Sequence, residues 1–186
     1  MDLQEYIRSE IRGKSVVLVG NARFGVDRSA FIDSHEIVFR FNLFAGQGYS
    51  EELCGKKTTH WCNNLVREWQ HREGRPRHWE LLQSLTPPPT VLTPSAEDKH
   101  KRLKTWIPLY ERMGVSLLYP DSDLAVPPGS TSKEPSVGFY TAIRLLDEHI
   151  PFDVIAFNGG VSNRHDGDAE MRFLHGHPLV TVDTDF

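Results

Sequence analysis

The chain has 186 residues, the size of one domain of about 100–200 residues, so we expect a single domain over residues 1–186. Hydrophobic residues make up 39% and charged residues 25%, a composition that supports a packed core and excludes a disordered or collagen-like chain. The net charge of −4 gives no general attraction to nucleic acid or to an anionic membrane, so nucleic acid is not an expected partner.

The expected compartment follows from the lack of membrane and export signals. No run approaches the roughly 18–20 apolar residues that cross a bilayer, and the opening Met-Asp-Leu-Gln-Glu-Tyr lacks the basic-then-apolar order of a signal peptide. We therefore expect no transmembrane segment and a cytoplasmic location. Cys54 and Cys62 are the only cysteines, too few for a disulfide framework, so two free thiols are expected.

The first elements in chain order are a short helix and a buried strand. Leu3, Ile7 and Ile11 recur every four residues, which predicts an amphipathic helix ending at Gly13. The run Val16–Val19 follows, and its position before a glycine-containing loop is typical of a strand in a parallel α/β sheet. Further apolar runs that predict strands lie at residues 37–41, 90–92, 115–119 and 154–157.

Helical patterns lie between these predicted strands, at residues 77–85, 98–113 and 136–150. The alternation of strand and helix predicts an α/β fold, a three-layer sandwich with a mostly parallel central sheet, in which ligands bind at the carboxyl ends of the strands. Residues 87–89 and 125–134 are proline-containing segments that we expect to be loops. The second is long enough to be a mobile flap beside a site.

The loop at residues 20–25 follows the first predicted strand, where backbone N–H groups can face a phosphate. It is not a Walker A loop, because no Gly-Lys-Ser/Thr follows, and it lacks the three-glycine spacing of a dinucleotide fingerprint. Taken alone, the loop is equally well interpreted as a plain turn after a strand.

Three blocks of sequence add to this pattern. The first block contains Val19-Gly20-Asn21, IDSHEIVFRFN at residues 32–42 and GKKTTH at residues 55–60. The second contains PSVG at residues 135–138, which opens an apolar helix, and FDVIAF at residues 152–157. The third, HDGDAE at residues 165–170, has a histidine and a glutamate separated by four residues. In this order the blocks resemble the large, small and very small sialyl motifs of glycosyltransferase family 29, the sialyltransferases.

The resemblance implies a GT-A-like fold and an inverting glycosyltransferase that moves sialic acid from CMP-sialic acid to a hydroxyl of a glycan acceptor. A bacterial cytoplasmic member would use a lipid-linked surface glycan. No cofactor is implied, because the CMP-sugar is the donor substrate. The resemblance assigns catalysis to His165, as general base, and to Glu170. It assigns nucleotide and donor binding to Gly20, Asn21, Arg40, Asn42, Ser136, Val137 and Gly138.

The chain also departs from the family pattern. Val137 stands where the family usually has threonine in the small motif, and Ser15 stands where a cysteine often begins the large motif. The disulfide that joins these motifs in the family therefore cannot form, which fits a reducing compartment. The family's short aromatic third motif has no clear counterpart between Phe157 and His165.

The chemistry of the matched side chains agrees with nucleotide binding. Asn21 and Asn42 each follow an apolar run, so both are expected at adjacent strand ends, where amides can donate to phosphate or contact a ribose and base. Ser136 is a suitable N-cap after Pro135, and Gly138 would let an anionic ligand approach the first helical turn. For each residue alone, a local turn or an ordinary capped helix is the simpler interpretation.

His165 lies in a polar loop after the predicted strand at residues 154–157, where a site residue at a carboxyl end would lie. An imidazole, with an ordinary pKa of about 6.5, can take a proton from an acceptor hydroxyl near neutral pH. Glu170 is expected to orient the imidazole or to hold the loop. An isolated loop histidine would more simply be a surface residue, and only its spacing to Glu170 and the upstream blocks favour catalysis.

Asp-x-Asp triplets, which hold a divalent cation in many nucleotide-sugar transferases, occur at residues 121–123, 166–168 and 183–185. Coincidence explains them more simply in a chain with 25 acidic residues. A CMP leaving group has one phosphate, whose charge neutral donors can stabilise. We therefore predict that no metal is bound.

Two alternatives remain open from the sequence. The matched residues contact the nucleotide, so another CMP-activated keto acid such as Kdo fits them as well as sialic acid does. The short chain and the missing third motif also fit a degenerate, non-catalytic CMP-binding module. The sequence does not specify the acceptor, the linkage or the oligomeric state.

Overall fold

A computed structural model of the chain describes residues 3–42, 44, 49–63, 84–92, 108, 112, 117–118, 126–131, 134–157 and 165–186. Its central feature is one seven-stranded sheet. The strands are β1 (Val16–Val19), β2 (Ile37–Phe41), β3 (His60–Cys62), β4 (Thr90–Leu92), β5 (Leu117–Leu118), β6 (Phe152–Ile155) and β7 (Val180–Asp183). Every pairing between neighbouring strands in this sheet is parallel, which confirms the predicted α/β class.

The strand order is β5-β4-β3-β2-β1-β6-β7, so β1 lies inside the sheet and the direction in which strands are added reverses between β1 and β6. Strands β2 to β5 follow one another on one side of β1, and β6 then pairs with β1 on its other side. In an open parallel sheet, such a reversal leaves a crevice at the carboxyl ends of the two central strands, and ligands bind there. Gly20 and Ala156, the first residues after β1 and β6, mark this switch point.

Helices cover both faces of the sheet. They are α1 (Leu3–Tyr6), which continues into a π-helical turn (Ile7–Ile11), α2 (Ser29–Ser34), α3 (Glu51–Cys54), α4 (Val137–Asp147) and α5 (Gly167–His175). Side chains of β1 alternate between the faces: Leu18 packs in one core with residues of α1, α4 and α5, and Val19 packs in the other with Ile32 and Cys54 of α2 and α3. Two cores on opposite sides of one sheet give the three layers predicted from the sequence.

The amino-terminal helix packs on the α4 side of the sheet. Leu3, Ile7 and Ile11 are all buried, as their four-residue spacing predicted. The helical segment ends in a π-turn, because Arg12 donates its N–H to the Ile7 carbonyl five residues earlier. Within the described residues, no helix combines the length and the apolar character needed to cross a bilayer.

Several element predictions need correction. The strand predicted at residues 154–157 is β6, which begins and ends two residues earlier; Ala156 has φ +57°, a left-handed conformation that cannot continue the strand. Strands β3 and β7 and helices α2, α3 and α5 were not predicted. The predicted helices at residues 77–85 and 98–113 and the region of the missing third motif lie almost wholly outside the described residues.

Candidate functional site

Phe157 joins two of the matched sequence blocks at the switch point. A Cβ atom added to Gly20 would lie 2.1 Å from the Ala156 carbonyl oxygen and 2.8 Å from the Phe157 ring. A Cβ added to Gly138 would lie 2.4 Å from the same ring. Phe157 also contacts Phe41 edge to face, with ring centroids 5.5 Å apart. Gly20 is therefore required by the close approach of the Ala156 backbone and the Phe157 ring, and Gly138 by that ring, roles that the sequence motifs did not reveal.

Asn21 and Asn42 lie at adjacent strand ends, as expected. Asn21 follows β1, and its side-chain amide donates to the carbonyl of Phe41, the last residue of β2, at 3.0 Å. Asn42 is the next residue and is exposed, with φ +46°, a left-handed conformation that asparagine tolerates better than most residues. Its backbone is bonded on both sides, to the Cys62 carbonyl and to the Trp61 indole N–H. The two exposed amides thus share a rigid backbone support at the carboxyl edge of the sheet.

Ser136 caps α4, as predicted, and is itself bound by Glu170 of α5. The Ser136 hydroxyl accepts the Phe139 N–H at 3.1 Å. It also donates to Glu170 Oε2 at 2.6 Å, and the Ser136 N–H donates to Glu170 Oε1 at 2.6 Å. The Glu170 carboxylate is buried and lies at the positive end of the α4 dipole, where negative charge is favourable. Of the two roles expected for Glu170, these contacts correspond to holding the chain at the start of α4.

His165 lies just before α5 and is half-buried. Its Nδ1 is 3.1 Å from the carbonyl oxygen of Glu134. A carbonyl oxygen only accepts hydrogen bonds, so Nδ1 bears the proton in this contact. In the neutral ring the lone pair is then on Nε2. This Nδ1-protonated tautomer is the one that a general base acting through Nε2 requires.

Asp166 belongs to the same region and was not among the site residues predicted from the sequence. Its Oδ1 accepts the Ala169 N–H at 3.0 Å, which caps α5. Its Oδ2 accepts both the Thr131 N–H at 2.9 Å and the Thr131 hydroxyl at 2.8 Å. Hydrogen bonds from the Thr131 backbone, the Ala169 backbone and the Thr131 hydroxyl lower the pKa of the Asp166 carboxyl. The sequence signal was an aspartate in an N-cap position directly before a helix.

Arg40 and Val137 are not exposed at this edge. Arg40 is 1% exposed and lies on the face of the sheet covered by α2 and α3. Its guanidinium donates to the carbonyls of Cys54, Gly55 and Lys57 and to the Thr58 hydroxyl. Val137 is 9% exposed and packs in the core on the opposite face. The contacts of both side chains are those of structural residues, and neither side chain joins the group of polar residues described above.

The acidic triplets have protein partners where they are described. Asp166 binds Thr131 and Ala169, and Asp183 pairs with Arg28 at 3.1 Å. The triplet at residues 121–123 lies outside the described residues. Among the residues that the structure describes, no group of three or more histidine, cysteine, aspartate or glutamate side chains is placed to hold a metal ion.

Both cysteines are free thiols, as expected, and both are buried. Burial raises the pKa of the Cys62 thiol to about 12, so it stays protonated at neutral pH. The Ser15 N–H donates to the Glu36 carboxylate, and the Ser15 hydroxyl accepts the Glu36 N–H.

No protein-family model matches the chain, and a search of curated proteins also gave no match. The resemblance to the sialyltransferase family therefore depends on the three sequence blocks alone.

Proposed function

We propose that the chain is a CMP-sugar-dependent glycosyltransferase of GT-A-like fold, which moves sialic acid from CMP-sialic acid to a hydroxyl of a glycan acceptor with inversion. The observation that supports this most is that the first two matched blocks meet at the switch point and that the third is bonded to the second. Phe157 packs against Gly20 and Gly138, and Ser136 is bonded to Glu170. Residues separated by more than 100 positions in sequence thus meet where an open α/β sheet binds its ligands.

In this proposal the nucleotide lies over the carboxyl ends of β1 and β2. The exposed amides of Asn21 and Asn42 would contact the CMP ribose, base or phosphate. A helix supplies no internal acceptor for its first N–H groups, so those of Val137 and Gly138 in α4 would face the donor's phosphate or carboxylate. Neutral donors suffice for one phosphate, and so we predict that transfer needs no metal.

The chemical step is a single in-line displacement. His165 Nε2 takes the proton of the acceptor hydroxyl as that oxygen attacks the anomeric carbon, and CMP leaves from the opposite face. The Glu134 carbonyl keeps the other ring nitrogen protonated and would stabilise the imidazolium that forms. Positioning of the two substrates and stabilisation of charge would provide the remaining acceleration.

One observation favours a second candidate, a non-catalytic CMP-binding module. Glu170 already occupies the Ser136 N–H and hydroxyl, so a carboxylate lies where a phosphate would bind at α4. The Glu170 carboxylate and the donor phosphate would repel each other at so short a distance. This repulsion would weaken donor binding unless the phosphate lies nearer to the loop after β1. Such a module would bind CMP without turnover.

The experiment that tests the proposal is a donor panel with a thermal-shift control. CMP at 100 times its dissociation constant should raise the free energy of unfolding by about 2.7 kcal/mol, whereas UDP and NAD should not change it. Transfer should then be assayed with CMP-sialic acid and CMP-Kdo, each in excess EDTA. Turnover of CMP-sialic acid supports the proposal. Turnover of CMP-Kdo alone would mean that the donor sugar is Kdo, and CMP binding without turnover would support the non-catalytic CMP-binding module.

The cytoplasmic location and the lipid-linked acceptor are further parts of the proposal. Two buried free thiols and a serine in place of the family cysteine fit a reducing compartment. Cell fractionation would test the location, and a panel of free and lipid-linked glycans would test the acceptor.

A further inference from the structure

The segment containing His165 is bound to the segment before α4 at three successive points. Each point joins a different side chain of residues 165–170 to a different residue of 131–136. The pairs are Asp166 with Thr131, His165 with the Glu134 carbonyl, and Glu170 with Ser136. The Glu170 pair connects two helix starts, the His165 pair reaches the residue two positions before Ser136, and the Asp166 pair connects the start of α5 to a loop.

That loop, residues 126–131, is here named the proline loop. The Ser130 N–H donates to the Pro127 carbonyl at 3.1 Å, and Gly129 has φ +78°. With Pro128 second and glycine third, this is a type II β-turn, in which each residue supplies the backbone angle that its position needs. The turn therefore has a defined shape of its own. Thr131, directly after the turn, is one point at which the loop is bonded to the rest of the protein.

Asp166 is the residue that holds this end. One carboxylate oxygen caps α5 through the Ala169 N–H, and the other accepts two hydrogen bonds from Thr131. Asp166 is only 5% exposed, whereas Thr131 is exposed. Because a buried carboxylate is costly without donors, it favours the arrangement in which Thr131 stays bonded.

We propose that Asp166 is a positioning residue: it holds the proline loop against the start of α5 and so fixes the Glu134 carbonyl that orients His165. Glu134 lies between two bonded points, Thr131 three residues earlier on Asp166 and Ser136 two residues later on Glu170, so the Asp166 contact restrains the amino-terminal side of that carbonyl. The carbonyl in turn keeps the His165 proton on Nδ1. This inference rests on the proposed function, because it takes His165 as the base.

The test uses Asp166→Asn, which separates the two tasks of the carboxylate. Asparagine is a good N-cap and keeps an oxygen for the Ala169 N–H, but its NH₂ group cannot accept from the Thr131 N–H. We expect hydrogen exchange at the Thr131 amide to rise about 10–100-fold, since a hydrogen bond to a charged group is lost. We expect kcat to fall about 10–100-fold through the misplaced base, with the KM for the donor changed less than about twofold.

Two substitutions at Thr131 give a matched pair. Thr131→Val removes only the hydroxyl bond, so it should raise hydrogen exchange at the residue 131 amide and lower kcat, each by less than Asp166→Asn does. Thr131→Ser keeps the hydroxyl and should have the wild-type exchange rate and kcat. Unchanged exchange in Asp166→Asn would overturn the holding role. Raised exchange with wild-type kcat would overturn the link to His165. A wild-type chain without transferase activity would overturn the proposed function and the catalytic part of this inference, while the exchange measurements still decide whether Asp166 holds the loop.

Discussion

His60 shows how a single buried side chain links pH to stability. The Thr59 hydroxyl accepts the Val38 N–H and donates to the Val38 carbonyl, so the His60 Nδ1 at 2.8 Å must be a donor to Thr59. The neutral ring then accepts the Tyr6 hydroxyl at Nε2, also at 2.8 Å. Burial, and secondarily the charge of Lys14, lower the pKa of His60 to about 3.

The first prediction at this scale concerns acid stability. Unfolded His60 binds a proton below a pH of about 6.5, whereas the folded form resists protonation until far lower pH. The stability that neutral His60 contributes is therefore complete above a pH of about 6.5. It falls as the pH drops from there toward the pKa of His60 in the folded protein, at up to about 1.4 kcal/mol per pH unit. Denaturant unfolding at several pH values should show a shallower acid slope in His60→Asn than in the wild type.

His175→Asn, a change at an exposed histidine of α5, is the matched control and should keep the wild-type slope. If His60→Asn does not fold, an NMR titration of the wild-type His60 ring gives the same information. A ring that protonates near pH 6.5 in the folded protein would contradict the burial argument.

At the scale of elements, the contact between α4 and α5 is the main support of the candidate site. Glu170→Ala removes two hydrogen bonds to a buried carboxylate and the charge at the start of α4. We expect the free energy of unfolding to fall by about 1.5–3 kcal/mol, as for loss of hydrogen bonds to a charged group. Glu52→Ala, at an exposed position of α3, should change it by less than about 0.5 kcal/mol. Equal effects of the two substitutions would mean that the α4–α5 contact adds no stability.

The elements that could be predicted from sequence are those with a strong local pattern. The apolar runs of β1 and β2 and the apolar helix α4 after Ser136 were identified. β3 was missed because it has three residues, two of which, His60 and Cys62, carry no clear strand signal. Its pairing with β2 and β4 depends on contacts distant in sequence, which no local pattern encodes.

At the scale of the whole molecule, the sequence predicted that Asn21 and Asn42 lie at one edge of the sheet and predicted less well which side chains are exposed there. The adjacency of Asn21 and Asn42 followed from the rule that parallel strands end at the same edge. Arg40 lies in a matched block, but the carbonyl oxygens that bind its guanidinium come from the last residue of α3 and the residues that follow it, and only the folded chain brings them there. Phe157 and Asp166 were missed because their roles depend on packing between blocks.

The central claim, that His165 is the general base of a CMP-sugar transferase, is tested most directly by His165→Ala. Steady-state turnover with the CMP-sugar donor should fall about 10²–10⁴-fold, the usual contribution of positioned proton transfer, while calorimetry should give a wild-type affinity for CMP. The control is His175→Ala, a change at an exposed histidine, which should keep wild-type turnover. A change at His60 would not be a suitable control, because His60 is buried and bonded to Tyr6 and Thr59. Near-normal turnover in His165→Ala would contradict the claim.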